Sequence, residues 1–317
     1  RGYPGHVSAQ WNKTRPDRVL GVAREFGAIS EVGASMQSLK PEVLAAIKRR
    51  NLPVDVVADM IAKLNEEGVD MPLFTELILG LPEETRDSHI EANKIMIDLG
   101  AEVFNYNLHL LPGTEMDTRD SRERYFKRTG WRLHDNAFGI YDGTKVFEGQ
   151  EVVLETSTMS MEDLRSFRFI HFLIQFMWGR KWYYDFLHLF RQAGLHPVDM
   201  VVRIAEAFAA DDGDMGALYQ RFAADHDLES FESFESLATY WSDEDNIGRL
   251  RNGDYGKLNY VYTYAILLDH YETFNRFLAR LSRDVVGGLG LPDADAFLEQ
   301  CDEVLKFGHE LRVNLGR

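Results

Sequence analysis

Along the first hundred residues, short apolar runs alternate with stripes of apolar residues at helical spacing. Leu77, Ile78 and Leu79 form a run too short for a helix, and Gly80-Leu81-Pro82 closes it at once, so the stretch reads as a buried strand ending in a tight turn. The same alternation surrounds it. His6 to Asn12 reads as a short strand, and Asp17 to Phe26 as a helix between Pro16 and Gly27, with Val19, Leu20, Val22, Ala23 and Phe26 on one side. A second strand over Ala28 to Ala34 runs into Ser35-Met-Gln-Ser38. Pro41 then opens a helix to about Arg50, and Val54 to Glu67 is amphipathic, with Val57, Ile61 and Leu64 on one face and Gly68 as its stop. Met71 to Leu79 is the third strand. Ser88-His-Ile-Glu91 has capping-box spacing and opens a helix through Ile95, Met96 and Leu99, and Val103 to Leu110 is the fourth strand, closed by Leu111-Pro-Gly-Thr114. Strands separated by helices in this order predict a parallel sheet of right-handed βα units, half of a full barrel.

Beyond Glu115 the pattern changes. Arg119 to Arg128 reads as a charged helix, Trp131 to Gly149 as a connector punctuated by Gly and Asp, and Glu151 to Glu155 as one last short strand. From Met161 onward the periodicity is helical: Met161 to Trp178, Lys181 to Ala193, Val198 to Ala209, Met215 to Asp225, Phe231 to Trp241, Leu258 to Leu281 and Ala294 to Leu311. The fold class is therefore α/β followed by all-α. The expected division is an α/β domain over residues 1–116, a connector over 117–155 and a helical domain over 156–317.

Composition narrows the partners. With 317 residues, 45% of them hydrophobic, the chain can bury a sizeable core. A formal net charge of −16 argues against a broad phosphate-neutralising surface, so nucleic acid is not the expected partner. No run of eighteen apolar residues marks a membrane span, and a cytosolic location is the default. Cys301 is the one cysteine, which excludes an intrachain disulfide and any multi-cysteine zinc or iron–sulfur site built from this chain alone. The chain begins at Arg1 and not at Met, and a missing N-terminal part is expected.

Candidate chemistry gathers at the strand ends. Gln37 ends a strand and Arg49 lies twelve residues on, late in the following helix; Arg49 either reaches the strand end or complements the negative helix terminus. Glu76 places a carboxylate in an apolar strand, which is costly unless it is paired, ligand-bound or solvated at the strand end. Gly80 permits close backbone approach, and Glu83 and Glu84 precede a helix. His109 is a ligand, a base or a structural histidine. The aromatic groups at Trp182-Tyr183-Tyr184 and Tyr255 to Tyr264 either line a pocket or pack helices. No G-x-S-x-G, Walker loop, H-E-x-x-H or G-x-G-x-x-G occurs.

Three strings in this order, Ser35-Met-Gln-Ser38 with Leu44 and Lys48-Arg-Arg-Asn-Leu52, Glu76-Leu-Ile-Leu-Gly-Leu-Pro-Glu-Glu-Thr85, and Leu110-Leu-Pro-Gly-Thr-Glu115, resemble the second half of a radical S-adenosylmethionine (SAM) enzyme core. The resemblance is to the subgroup that often carries an N-terminal cobalamin-binding domain, and it covers roughly residues 6–116. It implies the C-terminal part of a partial (β/α) barrel and a SAM site at its strand ends. Gln37 would lie near the ribose, Arg49 would pair with the methionyl carboxylate and Glu76 would be a second ribose contact. Ile78 and Gly80 would flank the adenine, Leu110 would stand on its other side, and Gln10 would face the methionine moiety. It also implies a [4Fe–4S] cluster, whose usual C-x-x-x-C-x-x-C loop is absent here, so its ligands are not in this chain and the chain alone is expected to be inactive. Cobalamin, with methyl transfer to a small-molecule or peptide substrate, belongs to the same implication. A second reading is a non-catalytic helical interaction module on a relic barrel.

Overall fold

The computed structural model describes residues 5, 7, 16–29, 32–33, 35–66, 73–252 and 257–315. The chain divides into two compact units, Arg1–Arg128 with Val153–Met161, and Thr129–Val152 with Glu162–Arg317. Of the strand expected over His6 to Asn12, only Val7 is among the described residues.

The first unit alternates helices α1 (Pro16–Phe26), α2 (Pro41–Ala46), α3 (Val54–Glu66), α4 (Arg86–Asp98) and α5 (Arg119–Tyr125) with strands β1 (Val32–Gly33), β2 (Leu73–Leu79) and β3 (Glu102–Asn107). Among the described residues the parallel sheet has three strands, in the order β1-β2-β3. β2 pairs with β3 from Phe74↔Glu102 to Leu79↔Asn107, and with β1 at Val32↔Leu73 and Gly33↔Phe74. Parallel neighbours need a crossover, supplied by α2 and α3 on one side and by α4 on the other.

Strand alternation then sorts the two faces of the sheet. Thr75, Leu77 and Leu79 are buried, and the α4 residues His89, Ala92, Asn93, Met96 and Ile97 are buried with them. Asn105 Nδ2 donates to Asn93 Oδ1 at 2.9 Å, which fixes α4 against this face. The opposite face carries Phe74, Glu76, Ile78, Phe104 and Tyr106 and stays half-open, with Tyr106 49% exposed. The rings of Phe74 and Phe104 meet there edge to face, 6.1 Å between centroids.

The cap of α4 lies three residues before the predicted one. Thr85 is the N-cap, its hydroxyl accepting from Ser88 N–H at 3.2 Å while Ser88 Oγ accepts from Thr85 N–H at 2.9 Å. Ser88 thus takes the position of the box that a Glu usually fills.

The largest departure from expectation lies over residues 126–156. The charged helix stops at Tyr125, and the expected connector is part of a long two-stranded sheet formed by β4 (Phe126–Tyr141) and β5 (Thr144–Thr156). Asp142 and Gly143 join the strands with φ of 49° and 80°, the two left-handed residues that a tight primed turn demands. Gly149 reads in sequence as a breaker but sits inside β5, where a Cβ would come within 2.6 Å of the Phe234 ring. It marks close packing and not a turn.

In the second unit α6 (Met161–Leu173) passes into a π-helical turn at Ile174–Gly179, and α7 (Tyr184–Gln192), α8 (Pro197–Ala210), α9 (Asp214–Asp227), α10 (Phe234–Ser242) and α11 (Glu244–Asn252) follow. The helix expected over Leu258 to Leu281 is α12 (Leu258–Tyr264), a second π-helical turn at Ala265–Asp269 and α13 (Tyr271–Val286); α14 (Ala294–Leu315) closes the chain. The core is aromatic. Phe169 packs on Phe172, Phe208 and Phe222, and Phe274 packs on Phe176, Tyr183, Phe208 and Phe277. Tyr183 and Tyr262 are buried packing residues whose hydroxyls reach Asn275 Oδ1 at 2.9 Å and Asp225 Oδ2 at 2.6 Å, while Trp182, Tyr260 and Tyr264 are exposed. Tyr255 lies outside the described residues. Leu133 and Phe147 of the hairpin pack with Leu237, Trp241 and Ile247 in a smaller cluster.

This packing makes Phe274 a sharp test. Phe274 is fully buried, and Phe274→Ala should cost about 3–5 kcal/mol, measured by urea unfolding. A pH dependence follows from His226 on α9. Burial first, and then the Arg168 guanidinium, hold it down to about 4 against the pull of Asp227. Since the unfolded imidazole titrates near about 6.5, the unfolded chain binds the extra proton, and stability is lost as pH falls from there toward about 4. Urea midpoints between pH 7.5 and 5 should fall, and fall less steeply for His226→Gln.

Candidate functional site

Of the predicted site residues, Gln37, Glu76, Ile78 and Gly80 lie at the carboxyl end of β2, where parallel strands open into loops able to hold polar groups. On the β1 side the register slips by one residue between the pair Gly33↔Phe74 and the isolated bridge Gln37↔Leu77. Gln37 N–H donates to Glu76 O at 2.8 Å, and Gln37 O accepts from Ile78 N–H at 2.8 Å. The chain then turns within three residues, Ser38 N–H closing on Met36 O at 2.8 Å around Gln37, whose φ is 63°. This left-handed γ-turn is a rare conformation for a residue with a side chain and costs about 1–3 kcal/mol, so the surroundings must hold it in place.

The holding groups come from the segment after α2. Helix α2 ends early, at Ala46, and Arg49 lies in the turn beyond it, its N–H donating to Leu44 O at 2.9 Å. Its guanidinium does not complement the helix terminus. Nη2 donates to Ser35 O at 2.9 Å and Nε to Asn51 Oδ1 at 3.3 Å. Burial lowers the Arg49 pKa from its ordinary value and the Glu76 carboxylate pulls it back up, so the two charges stand in each other's field. Asn51 Nδ2 donates to the carbonyls of Met36, at 2.6 Å, and Ser38, at 2.8 Å.

Beyond the strand, Gly80 is buried with φ 85°, and Glu83 also takes a left-handed φ of 64°. Lys40 Nζ donates to Glu83 O at 3.1 Å and Ser38 Oγ to Glu84 Oε1 at 3.2 Å, which ties this turn to the one around Gln37. The Glu84 carboxylate is fully buried, with His89 Nδ1 3.3 Å from Oε1 and the Thr158 hydroxyl on its main-chain oxygen. Among the described residues its Oε2 has no hydrogen-bond partner.

Glu76 and Ile78 alternate onto the half-open face, opposite Phe104 and Tyr106 in register. Leu110 is buried two residues beyond Leu108, whose N–H donates to Leu79 O at 2.9 Å and whose carbonyl accepts from Val153 N–H at 3.0 Å. His109 is half-buried between them. The structure therefore gathers Gln37, Glu76, Ile78 and Gly80 at one strand end, brings Arg49 into the field of Glu76, and sets Leu110 on the continuation of β3. Gln10 lies outside the described residues.

Sequence reasoning missed Tyr106, Asn51 and the Ser38–Glu84–His89 group. Tyr106 was available from its alternation with Phe104; Ser38–Glu84 spans 46 residues and the bonds of Asn51 to Met36 and Ser38 span 15 and 13, at no periodic spacing. Cys301 is buried on α14, and burial with the nearby Asp302 pushes its thiol up to about 12, so it is a poor thiolate donor.

No protein-family model matches the chain. The cobalamin-dependent radical SAM methyltransferase TokK of Streptomyces tokunonensis is 27% identical over 330 residues, covering 98% of this chain and 46% of that protein. The tRNA-2-methylthio-N(6)-dimethylallyladenosine synthase of Acinetobacter baumannii (strain AYE) is 32% identical over 102 residues, 32% of this chain and 21% of that enzyme. The chain thus spans less than half the length of either relative. Together the two similarities support the radical SAM superfamily, consistent with a mixed α/β chain that holds a small parallel sheet and is mostly helical.

Proposed function

We propose that this chain supplies the later strands of a radical SAM partial (β/α) barrel and part of its SAM site, followed by a mainly helical domain. The observation that carries the reading is the convergence of Gln37, Arg49 and Glu76 at the end of β2, beside a half-open face bearing Ile78 and Tyr106. These groups suit an adenosine joined to an amino acid. Arg49 offers a fixed guanidinium to a carboxylate, Glu76 accepts from ribose hydroxyls and Gln37 lies within reach of the same sugar. Ile78 and Tyr106 present an apolar surface to a flat base, Gly80 lets the backbone approach it, and Leu110 closes the far side.

A [4Fe–4S] cluster supplies one-electron reduction of SAM when bound, and cobalamin supplies a methyl carrier in the reaction class that the first relative's name describes. The donors in this chain do not fit a cluster, because its one sulfur ligand candidate is the buried, protonated Cys301; ligands from outside this chain are needed. What these residues do is bind and orient SAM and keep water from it. For substrate we propose a small molecule or peptide. The RNA substrate in the second relative's name is not carried over, since a chain of net charge −16 offers no broad surface for phosphates. Among the described residues no helix is long and apolar enough to cross a membrane.

Calorimetric titration of SAM into the 317-residue chain tests the reading. Binding should be detectable, and Gln37→Ala and Glu76→Ala should each weaken it about tenfold, or about 1.4 kcal/mol. Binding that neither substitution changes would place any SAM elsewhere and favour a helical interaction module on a relic barrel.

A further inference from the structure

We propose that Asn51 is a positioning residue, whose carboxamide holds Gln37 in its left-handed turn and Arg49 in the orientation that faces the strand end. This rests on the SAM-site reading above and assigns a role to a side chain on which that reading is silent.

The argument is one of satisfied geometry. A carboxamide has two N–H donors and one oxygen. Both Asn51 donors are used on the carbonyls flanking Gln37, those of Met36 and Ser38, and its oxygen accepts from Arg49 Nε. The neighbours leave one orientation: turned over, the oxygen would face two carbonyls and the NH2 would face a guanidinium. These bonds span 15 and 13 residues, so they do not belong to a local turn of Asn51's own backbone. They close on the residue whose backbone is strained, Gln37 with φ 63°. Its own main-chain bonds to β2 fix where Gln37 sits, but the reversal on either side of it needs the carbonyls of its neighbours held, and Asn51 holds both. Arg49, bonded to Ser35 O as well, is drawn into the same frame. One side chain thus sets the spacing between a proposed ribose contact and a proposed carboxylate contact.

The isosteric Asn51→Asp variant separates this role from simple packing. It keeps the volume and the acceptor for Arg49, but sets a carboxylate oxygen against two carbonyls. Two double-mutant cycles on the 317-residue chain decide the matter. In SAM titration, Asn51→Asp should weaken binding about tenfold alone and by a clearly smaller factor when added to Gln37→Ala, because one of the two groups it positions, Gln37, is already gone while Arg49 remains. In urea unfolding, Asn51→Asp should lower the midpoint, and Gln37→Gly should recover at least about half of that drop, because glycine holds the left-handed turn without a clamp. Additive effects in both cycles, or an Asn51→Asp protein that binds SAM as the parent does, would overturn the assignment and leave the site reading standing. A parent chain that fails to bind SAM would remove the site reading, while the urea cycle would still decide whether Asn51 holds the turn.

Discussion

The first unit depends on the backbone pairing of β2. Its N–H and C=O groups are spent in both directions, on β3 from Phe74 to Leu79 and on the β1 side at Val32, Gly33 and Gln37. A strand so committed cannot shift by one residue without turning every side chain to the other face. Glu76 and Ile78 therefore face the half-open side because Thr75, Leu77 and Leu79 must be buried. Among the described residues the register of this ladder slips by one before Gln37, and it does so at the strand end where the polar groups gather.

The covered side of the sheet is unexpectedly polar. Ser38, Thr75, Glu84, His89 and Asn93 are all buried in the first unit. A buried carboxylate is costly unless its oxygens are engaged, and Glu84 engages one of them, with the Ser38 hydroxyl and beside the His89 ring. An apolar core would pack α4 on the sheet as well but would leave the two turns free to slide. Glu84 and Lys40 bind one turn to the other, and Asn93 with Asn105 binds helix to strand. Polar networks of this kind favour one arrangement over its neighbours where hydrophobic contact alone is indifferent.

How much of this was legible in the sequence depended on range. The β2 run and its stop at Gly80 were plain, because an apolar run too short for a helix followed by Gly-Leu-Pro carries its meaning locally. Arg49 was ambiguous for a physical reason: basic residues complement helix ends so often that its place late in the expected helix could not say whether the guanidinium reaches the strand end. The expected strand over Glu151 to Glu155 lies inside β5, but the rest of the hairpin was misread because Gly130, Gly139 and Gly149 interrupt its alternation, and in sequence a glycine that admits the Phe234 ring looks the same as one that makes a turn. The Asp142-Gly143 pair, flanked by Ile140-Tyr141 and Val146-Phe147, is the local signal that marks this turn. Ser38–Glu84 and Asn51–Met36 join residues that no periodicity relates, so only the folded backbone reveals them.

The charges at the strand end carry the last step. Arg49 is partly desolvated, which is unfavourable for a cation, and three compensations offset it: the carbonyl of Ser35, the carboxamide oxygen of Asn51 and the field of Glu76. None is a bidentate carboxylate pair, the geometry that satisfies a guanidinium best. Such an incompletely matched cation, beside a carboxylate on a half-open face, is held in place and yet not used up, which is what a site for a zwitterion requires. Full internal pairing of Arg49 with Glu76 would stabilise the chain more and leave nothing to offer a ligand. On the proposed reading a SAM carboxylate completes Arg49 while the ribose hydroxyls turn to Glu76. Binding then removes a mismatch that the fold, through Asn51 and the Gln37 turn, keeps from resolving itself.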